Sequence, residues 1–443
     1  LVRPSGKGTT MKLFAVRPDI GRTPALPRQG GAWLFAVLLA IPLPLVAQEP
    51  LPGGDVASIR AWLIEHNPEL RALQADADAA EARVIPAGSL PDPMVGVRLQ
   101  GIDAERPNLL PGNVDTATYT VRQTFPLWGK RGLARNIASR EADAQREVRD
   151  AILLDRLAEA EQAYVRYWHA DAGLQVVDRL IELLGQVEAV ARERYALGIA
   201  AQQDAIRAQV ARTQMQAERI ERTAMRQEAV SQLNTRLGRP ADAALHPPAA
   251  EPAITAPVAT LDAGLQAVRR ATHPALRASN TMAAAADQAL DLQRRRRLPD
   301  LTVGVGAMQM GNRLDGYELM LEVEIPFQRR ALREREREAA LRSDAARARV
   351  DQTLSALEAR FGETWARWSS ANQRRTLYSD TLLPQTEANF ASALASYRVG
   401  DVDFATLLEA LEAWQGADLA RIDALRDELS GAAALRALVG STP

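Results

Sequence analysis

The chain has 443 residues, a formal net charge of −1 and 25% charged residues. That balance argues against general disorder and against a nucleic-acid partner. There is no cysteine, which excludes disulfides, thiolate metal sites and thiol catalysis.

Residues 1–47 read as a secretory signal, with 1–10 an upstream extension and Met11 the start. Lys12, Arg17, Arg22 and Arg28 form a basic region, and Ala32 to Val46 an apolar run broken by Pro42 and Pro44. The run is too short and broken for a spanning helix, and Leu45-Val46-Ala47 offers a cleavage site before Gln48. A helix is then expected from about Asp55 to Val84, with Ile59, Leu63, Leu70 and Leu73 as its stripe. Asn67-Pro68 interrupts it, because the residue before proline avoids helical geometry.

Two strand-like runs follow, Met94 to Gly101 and Thr116 to Phe125. Two more appear later, Leu301 to Gly311 and Tyr317 to Ile325. Each alternates with a period of two, which puts alternate residues on opposite faces of a sheet. Val95, Val97 and Leu99 oppose Arg98 and Gln100. Tyr119 and Val121 oppose Thr120 and Arg122. Val303 and Val305 oppose Thr302 and Gly304. Leu319, Leu321 and Val323 oppose Glu318, Glu322 and Glu324. One reading is a soluble antiparallel sheet with one face on a core. The other is a membrane barrel, whose strands need about 9–11 residues. On the second reading Val97, Val121, Val303 and Leu321 face lipid. Four strands cannot close a barrel, for which about eight are needed, and an open sheet edge in lipid is not viable. Several chains would therefore share one barrel.

Between and after the strand pairs the pattern is helical. From Leu133 to Leu197 apolar residues recur at helical spacing, and about 65 residues would reach about 100 Å. That length points to coiled-coil packing. Gly198 breaks the helix, and a second runs from Ala201 to Leu237. Residues 241–259 are a linker or irregular mid-body segment. They separate a first structural unit, 48–240, from a second, 260–443. The second repeats the landmarks of the first. His273-Pro274-Ala275-Leu276 echoes Asn67-Pro68-Glu69-Leu70, Leu298-Pro299-Asp300 echoes Leu90-Pro91-Asp92, Pro326 echoes Pro126, and Tyr397-Arg398-Val399-Gly400 echoes Tyr195-Ala196-Leu197-Gly198. A near-constant offset of about 200 residues indicates an internal duplication. The fold class is therefore mainly α with a small β part, a long helical rod with strands at one end and both glycine turns at the other. A kink is expected at Pro384.

These motifs, with Leu90-Pro91-Asp92-Pro93, Gln123-Thr124-Phe125-Pro126-Leu127-Trp128-Gly129-Lys130-Arg131 and Leu407-Leu408-Glu409-Ala410, resemble the TolC-like outer membrane efflux family. The Asn-Pro-Glu-Leu, Leu-Pro-Asp-Pro and Trp-Gly-Lys-Arg forms are most similar to its heavy-metal, CzcC/CusC-type branch. The resemblance implies a homotrimer whose chains each give four strands to one outer membrane barrel. It implies a periplasmic helical tunnel, and a periplasmic adaptor and an inner-membrane transporter as partners. It implies that Leu197, Gly198 and Ile199, with Val399, Gly400 and Asp401, form adaptor-docking turns. It further implies that Asp403 and Glu409 sit at a periplasmic gate. Thr406 stands where relatives often carry another acid. The lipid-modified cysteine of many relatives has no counterpart in these residues.

No catalytic arrangement stands out. His66, His169, His246 and His273 are scattered, and Gly304-Val305-Gly306 lacks the helix a dinucleotide site needs. No enzyme activity, cofactor or metal site is expected. Met308 and Met310 alternate on one strand face near Met320, as barrel-rim filler or as a soft thioether cluster. Lys130, Arg131, Arg294 to Arg297, Arg329 and Arg330 flank the strand ends, as a solvated rim or as contacts to lipid phosphates. Two functions remain, an efflux conduit and a soluble periplasmic helical scaffold.

Overall fold

The computed structural model describes residues 51–105, 107–270 and 273–440. The chain divides after Glu49, and the signal and cleavage readings on 1–47 lie outside the described residues. The rest has α1 (Val56–His66), α2 (Pro68–Ala82), α3 (Val84–Gly88), β1 (Met94–Gln100), β2 (Thr116–Phe125), α4 (Lys130–Ala196) and α5 (Gln202–Arg236). Then follow α6 (Leu261–Arg269), α7 (Pro274–Arg295), β3 (Asp300–Met310), β4 (Arg313–Glu324), α8 (Arg329–Leu377), α9 (Leu383–Val399) and α10 (Phe404–Val439).

The breaks between helices follow local chemistry. Asp55 and Ser58 form a capping box at the start of α1, satisfying free amides of the first turn. At Asn67-Pro68 the chain leaves helical geometry, and the Asn67 carboxamide accepts the Glu69 amide at 2.8 Å to start α2. His273-Pro274 repeats this before α7, with the imidazole Nδ1 accepting the Ala275 amide at 3.1 Å.

α4 is the spine, 67 residues without interruption. α2, α3 and α7 pack along its strand-proximal part, α5 and α10 along the rest. At mid-length Ile59, Leu63, Tyr164, Tyr167, Leu233 and Leu429 form one core. Burying one such side chain contributes about 1.5–3 kcal/mol. Residues 241–259 are irregular but closely engaged there. Ile254 is buried in this core, the Tyr167 hydroxyl donates to the His246 carbonyl at 3.2 Å, and the His246 amide donates to the Pro52 carbonyl at 3.0 Å. Beside it, buried Glu161 is held between Arg60, at 2.5 Å, and Arg436. A buried carboxylate needs such partners to offset its lost hydration. Towards the glycine turns a second core joins Leu180 and Leu184 to Phe390, Tyr397, Phe404 and Leu407.

The long helix of the second half is not continuous. α8 ends at Leu377 and a π turn spans Tyr378–Leu382, with the Leu383 amide bonding to the Tyr378 carbonyl. Pro384 has no amide hydrogen to donate, and the wider turn lies just before it.

Candidate functional site

The strands form one antiparallel sheet in the order β1-β2-β3-β4. Its register puts Val97 opposite Tyr119, Val121 opposite Val95 and Val305, and Val303 opposite Leu321. These residues share one face, and Val97, Val121, Leu321 and Tyr317 on it are exposed. The other face is polar. Thr124 and Thr302 are hydrogen-bonded at 2.9 Å. Arg122 reaches Glu322, two strands away, at 3.8 Å. Its path crosses Gly304, where a Cβ would stand 2.9 Å from the Arg122 Cγ. No helix among the described residues is long and apolar enough to cross a membrane. The outer strands β1 and β4 each have one edge without a strand partner among the described residues.

The methionines do not gather. Met308 pairs with Gly316 and Met320 with Gly304, so the two are four residues apart along the strands, about 13 Å. They share a face of the sheet at that separation.

At the far end of α4 and α9 lie the two glycine turns. Gly198 has φ +73 and Gly400 φ +95, left-handed values that glycine adopts without strain. The Ile199 amide donates to the Arg194 carbonyl at 3.0 Å and the Asp401 amide to the Ser396 carbonyl at 2.9 Å. Both are Schellman closures, which satisfy free carbonyls at a helix end. They leave Leu197, Ile199 and Val399 exposed, at 68%, 59% and 75%.

One side chain joins the two turns. The Arg194 guanidinium lies 4.4 Å from the Tyr397 ring centroid. Its Nη1 donates to the Tyr397 carbonyl and its Nη2 to the Ile199 carbonyl at 3.4 Å. Tyr397 is buried, packs edge-on against Phe404, and donates its hydroxyl to Asp204 on α5 at 3.2 Å. Burial, then the Asp204 carboxylate, push the Tyr397 phenol up to about 12, so it remains a donor at neutral pH. Arg194, Tyr397 and Asp204 were not singled out by the sequence as a set. The doubled Tyr-x-x-Gly pattern was the available signal, and it treats the two turns as equals.

The acids after the second turn separate. Asp403 is the N-cap of α10, with Oδ1 accepting the Thr406 amide at 2.9 Å and the Thr406 hydroxyl at 2.6 Å. Those bonds, the hydroxyl foremost, hold its carboxyl below the usual range. Thr406 thus serves as the partner of the cap. Asp401 is exposed on the turn. Glu409 is exposed in a groove of about 470 Å³ between α5 and α10, beside Ile206, Arg207, Val210, Leu408 and Glu412.

The family model described as outer membrane efflux protein matches residues 62–239 and 268–441. The chain belongs to the outer membrane efflux protein family. Its fold is that of solved channels. The OprN outer-membrane channel aligns at TM-score 0.72 and 18% identity, over 87% of this chain and 89% of that one. VceC of Vibrio cholerae aligns at 0.70 and 18%, over 87% and 96%. CusC aligns at 0.71 and 15%, over 88% and 93%. No curated protein matches by sequence.

Proposed function

We propose that this member of the family is the outer membrane channel of a tripartite efflux system, a passive conduit with a long periplasmic extension. The observation that carries the reading is the sheet. It has one exposed apolar face, one polar face and two outer edges. Three copies joined edge to edge close a barrel and leave no strand edge in lipid. Val97, Val121, Val303 and Leu321 then face lipid, and Arg122 and Glu322 face the lumen. Mass measurement of the full chain in mild detergent tests this. Trimers are expected. A monodisperse monomer, or a chain that purifies without detergent, overturns it and favours the soluble scaffold.

The exposed turn residues Leu197, Ile199 and Val399 dock the periplasmic adaptor, which in turn engages an inner-membrane transporter. Around the threefold axis Glu409 forms an acidic ring at the periplasmic entrance, where like charges in a narrow, low-dielectric passage favour cations. Asp403 contributes to that ring from its cap position. Heavy-metal cations are the proposed cargo, on the Asn67-to-Leu70 and Trp128-to-Arg131 motifs. The likeness to CusC supports that class no more than the likenesses to OprN and VceC support another. Planar-bilayer conductance tests the ring: Glu409→Gln is expected to lose cation preference, and unchanged selectivity removes Glu409 from the gate.

A further inference from the structure

The basic residues at the helix-side end of the strands fall into two groups. Lys130 is buried, pairs with Asp300 at 2.8 Å and donates to the Leu298 carbonyl at 2.8 Å. Arg131 donates to the Gly88 carbonyl at 3.0 Å and Arg295 to the Trp128 carbonyl at 2.7 Å. Arg294 and Arg297 both pair with Glu336, and Arg296 reaches Gln293. Lys130 ties α4 to β3, and the others join the helices and their connecting segments. Arg329 and Arg330, the first residues of α8, are exposed, and their side chains have no hydrogen bond or ion pair among the described residues. They do not stabilise α8 itself. Cations oppose the positive end of a helix, and this first turn has neither an acidic residue nor a side-chain cap.

Their surroundings continue the apolar face of the sheet. Phe327, between β4 and α8, is 81% exposed, and Ile325 beside it is 55% exposed. In the first half the corresponding segment exposes Trp128, which holds φ +61. That value is uncommon for a bulky residue. Its indole donates to the Pro299 carbonyl at 2.8 Å.

We propose that Arg329 and Arg330, beside the exposed Phe327, form a docking surface for the phosphate headgroups of membrane phospholipid. This rests on the membrane reading of the sheet. Amphipathic aromatic rings settle at headgroup depth, at the border of an apolar band. Guanidinium groups present forked donors that match phosphate oxygens. A positive surface directly beside an apolar face has the charge and the position to take the leaflet on the helix side of the barrel. The two halves divide the work: the first half spends its basic pair inside the fold, and the second leaves its pair outward.

The test uses the full chain in lipid discs of phosphatidylethanolamine and phosphatidylglycerol. Phosphatidylglycerol retained on transfer to detergent is counted by native mass spectrometry. The R329Q/R330Q variant is expected to retain about threefold less than wild type, with assembly unchanged. R329K/R330K, which keeps charge without the fork, is expected to fall between them. Equal retention in wild type and R329Q/R330Q overturns the proposal. So does normal retention with weakened assembly, which assigns the pair to a contact between chains. A wild-type chain that never enters the discs overturns the membrane reading, and the docking surface with it.

Discussion

The two glycine turns have the same backbone and different tertiary roles. Each closes with the same six-residue hydrogen bond around a left-handed glycine. Yet Tyr195, before the first glycine, is exposed, while Tyr397, before the second, is buried under Arg194. The position of Arg194 in the first turn is held by Ser396 in the second, so the bridge runs one way only. The Tyr-x-x-Gly pattern gives the same local turn at both places. Single differences beside it decided which copy is held and which does the holding. The caps at mid-length show the same division. Asn67 starts α2 with a group that does not titrate, and His273 starts α7 with one that does.

The largest expected effect comes from the exposed apolar residues the turns share. Leu197→Asp, Ile199→Asp or Val399→Asp is expected to abolish efflux in a cell-based assay while trimers persist in detergent. Normal efflux from all three would remove the docking role from both turns. Next is the bridge. Arg194→Ala removes two hydrogen bonds to carbonyls and a cation–π contact and is expected to cost about 2 kcal/mol in denaturant unfolding. Ser396→Ala, its counterpart, is expected to stay within about 0.5 kcal/mol. Equal costs would show that the asymmetry does no work.

A pH scan then compares the caps. Burial, the largest cause, lowers His273 from its ordinary value of 6.5. The Arg360 and Arg277 guanidiniums push the same way, while Asp155 and the Ala437 backbone oppose them. The folded chain therefore favours the neutral ring. Its stabilisation is full above pH 6.5 and is lost as pH falls from there through the lowered folded value. The loss is at most about 1.4 kcal/mol per pH unit per chain. His273→Asn, which installs the first half's cap, is expected to flatten that part of the profile. An unchanged acid slope would place the titration elsewhere. The smallest effect separates the glycines. Gly198→Ala has open space around its Cβ and is expected to cost about 1 kcal/mol for the left-handed backbone alone. Gly400→Ala meets the Arg194 Nη2 at 3.2 Å and is expected to cost more in the same unfolding measurement.

Much of this was legible in the sequence, because the governing periods are local. Alternation located the four strands. Glycine and proline located the turns and the break at Asn67, and α4 begins at Lys130, three residues before its expected start at Leu133, directly after the left-handed Gly129. What sequence reading missed depends on partners about two hundred residues away. Nothing beside Arg194 indicates that it lies on Tyr397. Residues 241–259 read as a linker or an irregular mid-body segment from their Ala and Pro content, and only the distant Tyr167 and Pro52 show how they are held to the core. Where a kink is expected at Pro384, the structure has a π turn over the preceding Tyr378–Leu382.

The π turn also sets where the molecule is stiff. In α4 every bending load meets one unbroken ladder of 67 residues, about 100 Å long. In the second half the ladder changes pitch at Tyr378–Leu382, a recognised place for a helix to bend. As an engineering beam the first half is the column and the second is jointed. Tension applied along the second half would be taken up first between residues 378 and 382, while α4 stays straight. Distances between spin labels spanning that segment should broaden more than those spanning the same length of α4.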